Sequence, residues 1–127
     1  METENKKPYD LDKRLIGFAV LVLELTEALP TTRSGNHIAG QLVRCGTSPA
    51  LNYGEVQSAE SRKDFIHKIM VVLKKLRETL ICLKIIKLKP LLDSAMLNSA
   101  LKECNELISI FVSSLQTARK KFPRQKS

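Results

Sequence analysis

The chain has few of the residues from which recognisable active sites are built. It carries six aromatic residues and no tryptophan among 127 residues. It contains no GxSxG, Walker, GxGxxG or HExxH motif, which removes the commonest hydrolase, nucleotide-binding and metalloprotease signatures. The two histidines have no metal-ligand spacing to each other or to a cysteine. These absences predict a protein that is not an enzyme and that holds no cofactor and no metal.

Long apolar runs and cysteine pairs are also missing. The longest apolar run, Leu15 to Leu23, is far shorter than the roughly 20 residues that a transmembrane helix needs. The polar N-terminus, mixed in charge, does not resemble a signal peptide. Three cysteines stand far apart without a CxxC pair, and Cys45 and Cys104 are expected to be small buried hydrophobic residues in a reducing compartment. We therefore expect a cytoplasmic protein without a membrane partner.

What the chain does have is helical periodicity. Four stretches place mostly apolar residues at alternating spacings of four and three, which puts them on one face of an α-helix. The ladders are Leu11-Leu15-Phe18-Val22-Leu25-Leu29, Ile38-Leu42-Cys45-Pro49-Asn52-Val56, Phe65-Ile69-Val72-Leu76-Thr79-Leu83-Ile86 and Leu97-Leu101-Cys104-Ile108-Phe111-Leu115-Ala118-Phe122. Four such faces bury themselves best against one another. The pattern predicts an all-α fold with four helices in one domain, residues 1–127.

Breaker and capping residues set the expected helix boundaries. Ser61 and Asp64 form a capping box at the start of the third helix, and Pro30, Pro90 and Pro123 end helices. The predicted helices cover about residues 10–29, 35–59, 61–89 and 93–121. Because each loop is short, neighbouring helices should be antiparallel, as in an up-down-up-down four-helix bundle. Pro49 predicts a kink or local defect in the second helix.

The first helix is more apolar than a bundle requires. Ile16, Val20 and Leu23 add apolar surface outside the stripe that the core can bury. On a monomer these residues would form an exposed patch, so we expect the chain to self-associate. Coverage of the patch by long neighbouring side chains is the less favoured alternative.

Charge divides the chain into two unequal parts. Residues 1–61 hold six Lys/Arg and eight Asp/Glu, a net of −2, whereas residues 62–127 hold fifteen and five, a net of +10. Such asymmetry indicates a polyanionic partner, although lysines that only solubilise the outer helix faces would give the same pattern. The candidate nucleic-acid-binding residues are Lys68, Lys75, Lys84, Lys87, Arg119, Lys120, Lys121 and Arg124. Since no aromatic residues interleave with these cations, any contact with RNA or DNA should be to the backbone and weakly selective for sequence.

The second helix carries a polar stripe with two interpretations. Its members follow one another at spacings of three or four: Gln41, Arg44, Ser48, Asn52 and Glu55. Asn52 also falls on the apolar ladder, where a polar group costs stability unless it is hydrogen-bonded. The stripe could contact a ligand or nucleic acid. We favour the structural interpretation, in which Asn52 and Ser48 satisfy backbone groups freed by Pro49 or bridge to the third helix.

One segment carries a family resemblance. Residues 44–68 read RCGTSPALNYGEVQSAESRKDFIHK, with Ser48-x-x-x-Asn52-x-x-Glu55 and Ser61-x-x-Asp64-Phe65 as the most specific parts. This segment resembles the small four-helix bundle proteins encoded in intervening sequences of bacterial 23S rRNA genes, a group that includes the accessory protein of diversity-generating retroelements. The resemblance covers about residues 10–118. It implies a homopentamer with a basic surface, no enzymatic activity, a role with nucleic acid and, for the accessory protein, contact with a reverse transcriptase.

Three functions remain open on the sequence. The first is an oligomeric basic bundle that binds nucleic acid, RNA in particular, without catalysis. The second is an interaction module whose basic face docks an acidic protein or a reverse transcriptase. The third is a bundle with no partner beyond its own copies.

Overall fold

The computed structural model describes residues 10–121, and all four helices lie within that range. Their bounds are α1 Asp10–Ala28, α2 Arg33–Val56, α3 Arg62–Leu88 and α4 Ala95–Lys121. Among the described residues there is no strand. The all-α fold and the number of helices predicted from periodicity are therefore confirmed.

Hydroxyl caps fix where three of the helices begin. Thr32 Oγ1 accepts from the Gly35 amide at 3.0 Å, and Ser61 Oγ accepts from the Asp64 amide at 3.0 Å. Ser94 Oγ accepts from the Leu97 amide at 3.2 Å. Each side chain satisfies one of the amides that a helix start leaves without a partner. The cap before α3 was expected, whereas α2 begins two residues earlier and α4 two residues later than predicted, because Thr32 and Ser94 are the caps.

The predicted end of α2 is too late. The helix ends at Val56 rather than near residue 59. After the helix, the amides of Ser58 and Ala59 donate to the carbonyls of Glu55 and Val56 at 3.2 and 3.1 Å, which forms a short turn. The segment that connects α2 to α3 is therefore longer than the sequence suggested.

The helices pack in chain order around a square. Each consecutive pair, α1–α2, α2–α3 and α3–α4, makes an extensive contact, and a less extensive contact between α1 and α4 closes the bundle. Helices α1 and α3 lie on a diagonal and do not approach each other closely. This arrangement is the up-down-up-down bundle that the short loops predict.

The core follows the apolar ladders of α1 and α3, whereas on α4 Ala100 and Leu107 are buried in place of the predicted Leu101 and Ile108, which are half-buried. Val22, Leu42, Leu76 and Leu107 are among the fully buried side chains that meet in the centre. On α2 the core position predicted for Asn52 belongs to its neighbour Tyr53, which is 7 % exposed and packs edge-to-face on Phe111 of α4 at 5.6 Å between ring centroids. This contact crosses the diagonal of the bundle, so it ties α2 to α4 through the core.

Helix α2 approaches α1 closely at one glycine. A Cβ on Gly46 would lie 2.6 Å from Cγ1 of Val22, so only glycine allows this approach. One turn further, α2 passes through Pro49 as a single unbroken helix. Thr47 Oγ1 and Ser48 Oγ donate to the carbonyls of Val43 and Arg44, at 2.7 and 2.6 Å, immediately before the proline.

Candidate nucleic-acid and assembly surfaces

The candidate cations of α3 fall on two sides of that helix. Lys68 and Lys75 lie on the side that faces α2, since Cys82, two turns after Lys75, meets Cys45 of α2. Lys68 Nζ donates to Asp64 Oδ2 at 2.8 Å, and Lys75 Nζ lies 3.5 Å from Glu78 Oε1. Both are therefore already engaged by carboxylates.

The surroundings of Lys68 are acidic as a whole. The hydrogen bond to Asp64, and then the charges of Asp64, Glu55 and Glu60, raise the pKa of Lys68. The same bond from Lys68, helped by the Glu60 amide, lowers the pKa of Asp64. A lysine held among carboxylates is a poor phosphate ligand, because the incoming phosphate meets like charge.

Lys84 and Lys87 lie elsewhere, towards α4 and the C-terminal end of α3. Both are exposed, and Lys87 Nζ donates to Asn98 Oδ1 of α4 at 2.8 Å. Neither forms an ion pair with any residue in the 10–121 range. Their charges are therefore available to an external anion.

The remaining candidates belong to the end of α4. Arg119 and Lys120 are exposed, and Arg119 Nη2 donates to Sδ of Met70 at 3.4 Å. The side chain of Lys121 and all of Arg124 lie outside the described residues. Met70 and Lys84 are fourteen positions apart on α3, which is about 21 Å along the helix axis. The structure thus places the two basic groups at opposite ends of the bundle.

A groove between α3 and α4 runs from the Arg119 group towards the Lys84 group and ends at Ile81, and the sequence did not reveal it. Met70, Ile81 and Val112 supply apolar lining, and Lys74, Arg77 and Arg119 supply cations. The groove holds about 860 Å³. The spacing of Met70, Lys74, Arg77 and Ile81 shows that they share a face of α3, but periodicity alone does not say that α4 lies beside that face.

The polar stripe of α2 lies at the surface. Gln41, Arg44 and Glu55 are exposed, and Ser48 and Asn52 are half-buried. Ser48 Oγ bonds to the Arg44 carbonyl and not to the Cys45 carbonyl that Pro49 leaves free. Asn52 makes no side-chain hydrogen bond within residues 10–121. The specific hydrogen-bonding role predicted for Asn52 and Ser48 is therefore not seen.

The three cysteines lie close to the core. Cys45 and Cys104 are buried, as expected, and Cys82 is half-buried. The thiols of Cys45 and Cys82 are 4.0 Å apart, and Cys104 Sγ donates to the Leu76 carbonyl at 3.3 Å. Burial raises the pKa of Cys104 to about 12, which keeps this thiol protonated.

The described residues offer neither a membrane-spanning helix nor a cluster of metal ligands. No helix between residues 10 and 121 is long and apolar enough to cross a bilayer. In the same part of the chain, no group of three or more His, Cys, Asp or Glu side chains could bind a metal ion.

Comparison with known proteins identifies the family of the chain. No curated protein matches the chain. A crystal structure of a protein of unknown function from the S23 ribosomal protein family of Bacteroides thetaiotaomicron is 26% identical, with a TM-score of 0.76 over 82% of this chain and 96% of that one. The family model for the 23S rRNA-intervening sequence protein matches residues 9–113. With the four-helix architecture already established, this match shows that the chain belongs to the family of 23S rRNA-intervening sequence proteins.

Proposed function

We propose that the protein is a non-enzymatic, oligomeric, cytoplasmic bundle that binds nucleic acid through the phosphate backbone, with RNA as the principal target. The family name, which refers to sequences that interrupt a ribosomal RNA gene, supports the choice of RNA. The resemblance described above supports five copies. The proposal assigns the protein a binding role and no chemical reaction.

The observation that carries this proposal is a set of exposed cations without acidic partners on α3 and α4. Lys84, Lys87 and Lys120 are exposed, and none forms an ion pair within the described part of the chain. Cations at a helix C-terminus are favourable in themselves, because they meet the negative end of the helix dipole. Lys84 lies further from that end than Lys87, so its charge is less explained by the dipole.

Aromatic side chains limit what such a surface can recognise. Of the described aromatic residues, Phe18, Tyr53 and Phe111 are buried and Phe65 is half-buried. None offers an exposed ring on which a base could stack, which disfavours a single-strand stacking platform. Contacts to phosphates position a nucleic acid without reading its sequence, so the expected binding is salt-dependent and weakly selective.

Oligomerisation would strengthen this binding. Each added copy repeats the same basic residues, and a long nucleic acid can contact several copies at once. The exposed apolar face of α1, formed by Ile16, Val20 and Leu23, supports self-association. Sedimentation equilibrium at micromolar concentration should give a mass near five times 14.3 kDa. A monomer would contradict this part of the proposal.

The structure provides a matched pair of variants for the nucleic-acid proposal. Lys84→Gln/Lys87→Gln removes two unpaired charges from α3, and Lys68→Gln/Lys75→Gln removes two acid-paired charges from the same helix. Each phosphate contact contributes roughly −0.7 to −0.9 to the slope of log K against log salt. We expect Lys84→Gln/Lys87→Gln to weaken binding and to reduce the slope by up to the contribution of about two phosphate contacts. Lys68→Gln/Lys75→Gln should change the affinity and the slope much less.

Fluorescence anisotropy with unrelated RNA and DNA, at low and at physiological salt, measures both quantities. Neutralising Lys120, Lys121 and Arg124 together should weaken binding to every sequence about equally. Absence of binding at low salt would reject the nucleic-acid role. Tight binding to a single sequence would reveal a base-reading element that this surface does not predict.

A further inference from the structure

From Ile16 to Glu27, the outer face of α1 is both apolar and acidic. Ile16, Val20 and Leu23 are 51 %, 49 % and 42 % exposed. Beside them lie the exposed carboxylates of Glu24 and Glu27, and neither forms an ion pair within residues 10–121. The last turn of α1 has no basic residue. A surface that matches this face must therefore supply apolar contacts and positive charge together.

The groove between α3 and α4 supplies that combination. Met70 and Ile81 are 44 % and 56 % exposed and form its apolar part. Lys74, Arg77 and Arg119 line it, and none of the three has a carboxylate partner among the described residues. The one acidic residue along the groove, Glu78, is turned to Lys75 at 3.5 Å.

These two surfaces cannot meet within one chain. Helices α1 and α3 occupy opposite corners of the bundle, and the exposed residues of each face away from the shared core. The acidic apolar face can therefore reach a basic apolar groove only on another molecule.

We propose that α1 of one copy docks in the α3–α4 groove of the next, so that the protein assembles head to tail through two different surfaces. This inference rests on the oligomeric state proposed above and specifies how the copies join. When two copies join through unlike surfaces, the pair still has one free α1 face and one free groove. Further copies therefore add to it until the assembly closes into a ring, or it extends as a filament if it does not close.

A second copy fits the groove better than a nucleic acid does. Phosphates would satisfy Lys74 and Arg77, but they would leave Met70 and Ile81 in water or cover them with charge. Helix α1 matches both kinds of residue. Docking also places Arg119 in the contact between copies, so Lys84, Lys87 and Lys120 remain for nucleic acid.

Two single substitutions and their mixture test the arrangement. Val20→Lys blocks the α1 face and leaves the groove intact, and Ile81→Lys blocks the groove and leaves α1 intact. Each variant alone should sediment as one 14.3 kDa chain. Mixed in equal amounts, the two should form a 1:1 complex of two chains and nothing larger, because only one intact pair of surfaces remains. Leu51→Lys, at a residue that is 73 % exposed on α2 outside both surfaces, is the matched control and should keep the wild-type mass.

Every alternative gives a different result. If Ile81→Lys stays oligomeric, the groove is not the docking site, although the protein still self-associates. If the wild type is a dimer that Val20→Lys dissociates and Ile81→Lys does not, α1 pairs with α1 and the inference is wrong. A monomeric wild type overturns the proposed oligomer itself, and an acidic partner protein then becomes the better candidate for the groove.

A second pair of variants covers a failure to fold. Circular dichroism at the mixing concentration shows whether each chain is helical. If Val20→Lys or Ile81→Lys is unfolded, Leu23→Lys and Lys74→Glu replace them, with the same expected 1:1 complex. Absence of that complex between two folded monomers would overturn the proposal.

Discussion

Helix α1 contacts α2 on one side and α4 on the other, and the two contacts are built differently. Against α2 the backbones approach closely, because Gly46 leaves room for Val22. Against α4 the contact is less extensive, and Arg14 crosses it to bind Glu103 and Glu106. Arg14 Nη2 lies 2.7 Å from Glu103 Oε1 and 2.9 Å from Glu106 Oε1, and Arg14 Nε bonds Glu103 Oε2 at 2.9 Å.

The difference shows two ways in which a small bundle joins its helices. Helices joined by a short loop can pack closely along their length, and the fit then depends on volume. The first and last helices meet without a connecting loop, and there Arg14 adds a bidentate ion pair to Glu103 and a single contact to Glu106. The first kind of contact should be sensitive to a single methyl group, and the second to salt.

The largest effect is expected at the aromatic contact that holds α4 to α2 through the core. Tyr53→Ala removes a nearly buried ring that packs on Phe111, and should lower the free energy of unfolding by about 3–5 kcal/mol. Asn52→Ala, at the next position along α2, should change it by no more than about 0.5 kcal/mol. Urea unfolding at one fixed protein concentration measures both, since the stability of an oligomer depends on concentration. A larger loss for Asn52→Ala than for Tyr53→Ala would restore Asn52 as the core residue.

The next effect tests the close contact between α1 and α2. Gly46→Ala should destabilise the protein by about 1–3 kcal/mol, because Val22 is fully buried and its branched side chain cannot move aside. Gly54→Ala on the same helix has no atom within 4 Å of the added Cβ and should stabilise by up to about 1 kcal/mol. Thermal unfolding of the two variants gives the comparison directly. Equal effects would mean that helix propensity, and not the α1–α2 distance, decides the outcome.

The smallest effect is expected at the contact between α1 and α4. Arg14→Met keeps most of the apolar stem and removes the guanidinium, so it should cost no more than about 1 kcal/mol at low salt. The cost should shrink as salt is raised, because these side chains are partly exposed. Glu103→Gln should show the same trend with salt. A loss of 3 kcal/mol or more, unchanged by salt, would mean that the ion pair acts as part of the core.

Much of the fold could be read from the sequence, because burial on a helix repeats every 3.6 residues. The ladders of α1 and α3 locate the core well, from Leu15 and Val22 to Leu76 and Ile86. On α2 the spacing predicted Asn52 instead of Tyr53 as the core residue. Adjacent positions fit spacings of four and three almost equally well, and Pro49 before them does not show which of the two faces the core. Helix starts were missed by two residues where Thr32 and Ser94, and not their neighbours, accept the first amides.

The candidate site could be predicted only in part. The sequence shows that residues 62–127 are strongly basic, but not which cations already have partners. Lys68 and Lys75 are engaged by carboxylates, whereas Lys84 and Lys87 have none in the described region. The groove between α3 and α4 was missed because it is made by two helices whose facing sides depend on how they are rotated about their axes.

The sequence by itself determined the four helices, most of the residues that they bury and the uneven distribution of charge, because these follow from the spacing of residue types along one helix. Only the tertiary structure decided which cations are paired, which ring occupies the core position of α2, and that an acidic apolar face and a basic apolar groove lie on different sides of the same bundle. Those features depend on distances between side chains from different helices. Local periodicity fixes which way a residue faces relative to its own helix, and only packing fixes what it meets there.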